Sequence, residues 1–161
     1  MPKSEVIADL REARAQLNAA IDGLTADQML QPGAVGFWSV KDALAHLVSW
    51  EAELVTALSR LEQHKHKPPR IIEIEDIDEW NDEQYHINVR RTLDDVLQDF
   101  EGVHRHLIRA IEDLNDRVLD DNRQFEWMEG EPLSYLIAEN AIWHEEEHTD
   151  DILAWRESVG I

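Results

Sequence analysis

Apolar residues recur every three or four positions over four long segments, which is the spacing of one helix face. The first segment runs from about Ser4 to Leu24, with Val6, Leu10, Ala13, Leu17, Ile21 and Leu24 on its stripe. Asp22-Gly23 reads as a stop. Thr25-Ala26-Asp27-Gln28 reads as a capping box that opens a short turn, ended by Pro32-Gly33. The second segment opens at Ser39, with Asp42 as capping partner, and carries Val40, Leu44, Leu47, Leu54, Leu58 and Leu61. It runs out in His64-Lys65-His66-Lys67-Pro68-Pro69. The third follows the capping signature Thr92-Leu93-Asp94-Asp95 and extends through Phe100, Val103, Leu107 and Ile111 to Leu114. The fourth has Pro132 at its first position, where a missing N–H does no harm, and reaches about Ser158, with Gly160 beyond its end.

The connections complete the outline. Between the second and third segments Ile71 to Asp76 is the only strand-like stretch, and a short helix is predicted from Asp78 or Glu79 to Arg90. The connection of about 14 residues that follows Pro69 is long beside the roughly 2–8 usual between neighbouring bundle helices, which suggests a crossover. Asn115 to Glu131 reads as a loop. The pattern predicts an all-α four-helix bundle, one domain over residues 1–161, with no internal repeat.

The fourth segment departs from a plain amphipathic helix. At about 100° per residue, Asn140, His144, His148, Asp151 and Trp155 fall on the face defined by Leu133, Leu136 and Ile137. Glu139, Glu146 and Asp150 point away. Polar groups in a core stripe need partners. His144 and His148 stand four apart, so both rings lie on one side and can chelate one ion, or form a hydrogen-bonded pair near a bundle end. A third ligand has two candidates. His46 lies on an apolar flank of the second helix with Ala43, Trp50 and Ala57. His104 lies between Val103 and Leu107 in the third helix's stripe. Glu51 falls near the centre of the second helix's stripe, where a carboxylate is a ligand, a general base or an acceptor that orients a ligating histidine.

Composition narrows the classes. The chain has 161 residues and no cysteine, which excludes disulfide scaffolds, thiolate zinc sites and cysteine nucleophiles. With 15 Lys and Arg against 35 Asp and Glu, the formal charge is −20, from which neither nucleic acid nor an anionic membrane is expected as a partner. No apolar run approaches the roughly 20 residues of a membrane span, and the first residues lack a signal-peptide pattern, so a cytoplasmic protein is expected. Three neutral imidazoles suit Zn²⁺ or Ni²⁺, with Fe²⁺ and Cu²⁺ also compatible. The acidic residues around His148 are expected to raise the affinity of nearby imidazoles for protons as for metal, with metal occupancy falling steeply below about pH 6. The same field makes a poor fit for anionic substrates.

Three segments together resemble a known family. Gly36-Phe37-Trp38-Ser39-Val40-Lys41-Asp42-Ala43-Leu44-Ala45-His46-Leu47 with Trp50-Glu51 is similar to the second-helix signature of the DinB-like, or YfiT-type, superfamily, and within it of the ClbS/DfsB branch. Trp80-Asn81 with Arg90 or Arg91 and Leu93–Phe100 resembles the middle of that branch. Gly130-Glu131-Pro132-Leu133, then Ile137-Ala138-Glu139-Asn140 and His144 to His148, resembles its last helix. Where the branch often reads Asn-Thr-Tyr-x-His-Tyr, this chain has Asn140-Ala141-Ile142-Trp143-His144-Glu145, with neither tyrosine.

The resemblance implies an up-down-down-up bundle and a metal held by His46, His144 and His148, which leaves Trp50, His104 and Asn140 as pocket candidates. It implies a metal-dependent small-molecule enzyme of hydrolase or thiol-transferase type, in which Glu51 or Glu147 would move a proton. The alternatives are a non-catalytic protein that binds and neutralises a small molecule, and a metal-free helical interaction protein. A homodimer is expected by resemblance alone. Fold does not fix chemistry, so the site must decide among these.

Overall fold

The computed structural model describes residues 1–161, and they are helical apart from their turns. The four long helices are α1 (Lys3–Ile21), α3 (Val40–Ser59), α6 (Leu93–Glu112) and a last helix. The last helix is built from α8 (Leu133–Ile137), a π-helical turn (Ala138–Ile142) and α9 (Trp143–Val159) without interruption. Short helices fill the connections: α2 (Ala26–Leu30), α4 (Arg70–Glu73), α5 (Ile77–Asn88) and α7 (Asp116–Asp120).

The sequence signals act where they were read. Thr25 with Gln28 and Ser39 with Asp42 each form a reciprocal capping box, and the Thr92 hydroxyl accepts from the Asp95 N–H. Each satisfies a backbone N–H that the first helical turn leaves without a partner. After Ile21 the chain turns through Gly23 at φ 78°, a conformation that costs glycine little. Pro132 stands one position before the helix rather than at its first residue.

Two connections differ from expectation. Ile71 to Asp76 is no strand: Arg70–Glu73 forms one helical turn, and Asp76 caps α5 by accepting from the Glu79 N–H at 3.0 Å. A lone β-branched stretch has no neighbouring strand to pair with, so its propensity is overridden. The stretch from Asn115 to Glu131 contains α7 and a 3₁₀ turn at Glu126–Met128, whose Leu119, Phe125 and Met128 are buried.

Cross-helix contacts fix the directions. Lys3 at the start of α1 donates to the carbonyls of Glu112 and Leu114 at the end of α6. Arg156 near the end of α9 donates to the carbonyls of Ala20 and Asp22 at the end of α1. So α1 and the last helix run one way and α6 the other, and α3 runs with α6, giving up-down-down-up. The crossover formed by α4 and α5 packs against α3 and carries the chain back to the start of α6.

The core comes in two parts. One cluster gathers Leu10, Leu54, Leu107, Ile111 and Ile137 toward one end. The other gathers Leu17, Leu44, Leu47, Phe100, Ile152 and Trp155 toward the opposite end. Arg14, Glu51 and Glu145 are buried between them. A polar layer therefore crosses the bundle at mid-height, at the level of the histidines of the last helix.

Candidate metal centre

His46 on α3 and His144 and His148 on α9 come together so that one ring nitrogen of each lies within 4.8 Å of the others. The Nε2 atoms of His46 and His144 are 2.8 Å apart. Ring centroids lie 4.7 Å apart for His46 and His144, 5.2 Å for His46 and His148, and 4.8 Å for His144 and His148. Two of the rings stand four positions apart on one helix, and the third enters from the facing helix. With metal–nitrogen bonds of about 2.0–2.1 Å, tetrahedral ligand nitrogens lie about 3.3 Å from one another, so small side-chain adjustments suffice for one ion.

The far side of each helix-borne ring is held. His148 Nδ1–H donates to the Asp151 carboxylate at 3.2 Å, the carboxylate–histidine arrangement that turns Nε2 toward a ligand. The His144 ring has a hydrogen bond to the Asn140 backbone, and its Nε2 faces His46. Burial, then the His144 and His148 imidazoles, lower the His46 ring from 6.5 to about 3. Burial, then His148, lower His144 to about 4 against the opposing Asn140 hydrogen bond. Both rings are therefore neutral at pH 7. Neutral nitrogens at 2.8 Å share a single hydrogen, and a cation can take its place. The donor set fits a divalent transition ion.

These shifts reverse one expectation. The acidic residues around His148 do not raise the proton affinity of His46 and His144, because Glu146, Glu147 and Asp150 are exposed and solvated while the rings are desolvated. Proton competition, expected below about pH 6, moves to lower pH for these two rings.

The other candidates separate. Trp50 and Asn140 line an open cleft of about 320 Å³ that reaches His46 and His144. Asn140 Nδ2 donates to the Leu136 carbonyl at 2.9 Å, and Trp50 Nε1 donates to Asn81 Oδ1 at 2.9 Å. His104 is elsewhere: it lies outside the histidine cluster, within the field of Arg14 and Arg11, and its Nδ1 is buried without a partner. Its stripe position is right, but α6 presents it to α1 instead of to the histidine cluster. Glu51 is fully buried, and both its oxygens accept from Arg14 Nη2, at 3.1 and 3.4 Å. Glu147 is exposed on the solvent side of α9. Neither carboxylate joins the histidines, Glu51 because Arg14 holds it in the core and Glu147 because its helix face looks outward.

Two residues of the polar layer were not among the candidates, and one of them, Glu145, escapes a reading at a constant 100° per residue. Glu145 is 1% exposed, and its Oε1 accepts from Arg14 Nε at 2.9 Å and Nη2 at 2.5 Å. Arg14 also donates to the Phe100 carbonyl at 2.6 Å and lies 3.6 Å over the Phe100 ring. The signal for Arg14 was its place between Leu10 and Leu17 on the α1 stripe. Burial, then the Glu145 carboxylate, push Glu51 well above the usual carboxylate range, with Arg14 pulling the other way. One guanidinium cannot balance two buried carboxylates, so Glu51 keeps its proton and the layer is neutral.

A four-helix bundle with three histidines drawn together from two of its helices is the class that this fold and site define. The chain belongs to the DinB superfamily, whose sequence model matches residues 9–152. No curated protein matches it. Among solved structures it is similar to an uncharacterised protein from Escherichia coli UTI89, at 14% identity and TM-score 0.80, covering 99% of this chain and 95% of that one. A protein from Streptococcus pneumoniae is equally similar, at 14% identity and TM-score 0.80, covering 98% and 91%. The colibactin self-resistance protein ClbS, in complex with a dsDNA, is similar at 13% identity and TM-score 0.77, covering 94% and 93%.

That complex corrects the exclusion of nucleic acid drawn from the charge. A net charge is a sum, and binding depends on local clusters. Here Arg11, Arg105, His106 and Arg109 line one groove of about 440 Å³ between α1 and α6, with Glu112 as its one carboxylate, 4.0 Å from Arg11, in a chain of charge −20. No helix is long and apolar enough to cross a membrane.

Proposed function

We propose that this protein is a metal-dependent enzyme acting on a small molecule, with His46, His144 and His148 holding one divalent transition ion. The observation that carries the reading is the convergence of three ring nitrogens within 4.8 Å, two of them on rings kept neutral by burial. Three protein ligands leave a coordination position open, which is the catalytic rather than the structural pattern. A bound ion would supply Lewis acidity toward an oxygen or sulfur of the substrate, which suits hydrolysis or thiol transfer. Asp151 orients His148, the Asn140 backbone holds His144, and the cleft beside them admits the reacting molecule. Glu51 supports the site from inside, as part of the layer that anchors α9 to α1 and α3. The test is native protein without a histidine tag, supplied with Zn²⁺ or Ni²⁺ and analysed by elemental mass spectrometry. One ion per chain is expected, lost in His144→Ala and His148→Ala. A metal-free protein after supplementation would overturn the reading.

A second reading, contact with duplex DNA, is favoured by the cationic groove of Arg11, Arg105, His106 and Arg109 together with the ClbS complex. It predicts a retarded duplex at low salt that Arg105→Glu/Arg109→Glu abolishes, with affinity falling steeply as salt rises. Equal retardation by that variant would remove this reading.

A further inference from the structure

We propose that the cleft beside the histidines binds a neutral, largely aliphatic small molecule carrying a hydrogen-bond acceptor and donor side by side, as a carboxamide does. The inference deepens the metal-centre reading and rests on it for the fate of the ligand, while the binding itself follows from the cleft.

The wall opposite the histidines is unusual for a surface. The crossover contributes Ile71, Ile72, Ile74 and Ile77 to it. Ile71 is buried, but Ile77 is 53% exposed at the start of α5. Ile72 and Ile74 are half-buried against the core, so the wall is an apolar slope that opens at Ile77, and an apolar wall beside convergent polar groups marks a ligand groove. No Lys or Arg lines the cleft, and its only carboxylate, Glu139, is exposed. A ligand anion therefore meets no protein cation there, and a ligand cation meets only a solvated glutamate.

The two asparagines set the polar pattern. Asn81 Oδ1 is occupied by the Trp50 indole N–H, which leaves the Asn81 amide N–H groups to donate. Asn140 Nδ2 is occupied by the Leu136 carbonyl, which leaves Asn140 Oδ1 to accept. One side chain offers a donor and the other an acceptor, and both line the same cleft as His46 and His144. A neutral group with both functions satisfies them together. A ligand lacking one function would leave a desolvated partner unpaired and bind more weakly.

The experiment uses EDTA-treated full-length protein and the neutral fluorophore N-phenyl-1-naphthylamine, displaced by octanamide, octanoate or octylamine. Saturable binding of the fluorophore is expected, with octanamide displacing it at concentrations at least tenfold lower than octanoate or octylamine. Ile74→Asn/Ile77→Asn is expected to weaken the fluorophore at least tenfold while the circular dichroism of the folded chain is retained, and Leu153→Asn, a control on an exposed leucine of α9, to leave binding unchanged. Equal displacement by the three octyl compounds, or indifference to the isoleucine substitutions, overturns the proposal. So does a dimer that Ile77→Asn dissociates without any displacement by octanamide, which would make the wall an interface between copies. Zinc binding is measured separately. Its absence with octanamide displacement intact removes the metal centre alone, and its presence without displacement removes this inference alone.

Discussion

Glu145 accepts two hydrogen bonds from Arg14, at 2.9 and 2.5 Å, across 131 positions of the chain. This contact ties the last helix to the first one residue beyond His144. The same guanidinium reaches Glu51 on α3, so one side chain fixes both helices that carry the histidines. The rigidity of the three-histidine cluster is thus founded in the layer beneath it.

Removing Arg14 leaves two buried acids without their cation. Breaking such a pair on one side costs about 3–5 kcal/mol, whereas replacing the whole group by apolar residues is often neutral or stabilising. Arg14→Met is therefore expected to lower the unfolding free energy by about that amount, and Arg14→Met/Glu51→Met/Glu145→Met to recover most of it. Urea titration followed by circular dichroism reads both. Equal stability of the single variant and the parent would show that the layer carries no net weight.

The carboxylate behind His148 makes a separate prediction. Loss of such an outer partner typically weakens metal binding about 10–100-fold. Asp151 is half-buried and bonds only the ring, so Asp151→Asn should leave the fold intact and lower zinc affinity within that range. Calorimetric titration measures it, and an unchanged affinity would mean that Asp151 does not orient the ring.

How much of this was legible in the sequence depended on whether a residue obeyed regular geometry. His46, His144 and His148 were readable as neighbours because i, i+4 spacing and an apolar flank survive in any straight helix. Glu145 was not, and counted only among the acidic residues around His148. The turn at Ala138–Ile142 is π-helical, with the Trp143 N–H bonded to the Ala138 carbonyl five residues back. One extra residue in that turn rotates everything after it, so Glu145 swings into the core stripe with Ala141, Thr149 and Ile152. Arg14 sat on a legible stripe, but its partners come from helices far away in sequence. The strand-like Ile71 to Asp76 was local propensity without a partner strand, and its isoleucines serve the cleft instead.

That π-turn leads to a prediction of its own. Such turns cost helix stability and are frequent at functional sites. Asn140 braces it by donating to the Leu136 carbonyl, the acceptor that its own backbone N–H would take in a regular helix. Asn140→Leu removes the brace and is expected to cost about 1 kcal/mol of stability, while lowering zinc affinity at least tenfold through His144. Calorimetry with urea titration separates the two effects. Wild-type zinc affinity in a variant that has lost the expected stability would limit Asn140 to a structural role.

The buried rings also set how stability responds to acid. His46 and His144 bind a proton near pH 3 and 4 in the fold but at their ordinary 6.5 when unfolded, and half-buried His104, lowered to about 4 by burial and then by Arg14 and Arg11, behaves likewise. Below pH 6.5 the unfolded chain therefore holds more protons, and stability falls as pH falls, by at most about 1.4 kcal/mol per pH unit for each ring and by less for the more exposed His104. Glu51 acts in the opposite sense. Its folded pKa is raised, so across the same window the folded chain holds a proton that the unfolded one lacks, and acidification favours the fold. The histidines outnumber it, so the melting temperature of metal-free protein is expected to drop between pH 7 and pH 5. Glu51→Gln removes the opposing term and should steepen that drop by close to one proton, while His46→Gln should flatten it. Calorimetric melting across the window reads the slope directly. A melting temperature independent of pH in the parent, or slopes that move the other way in the two variants, would contradict the burial of these groups in their neutral forms.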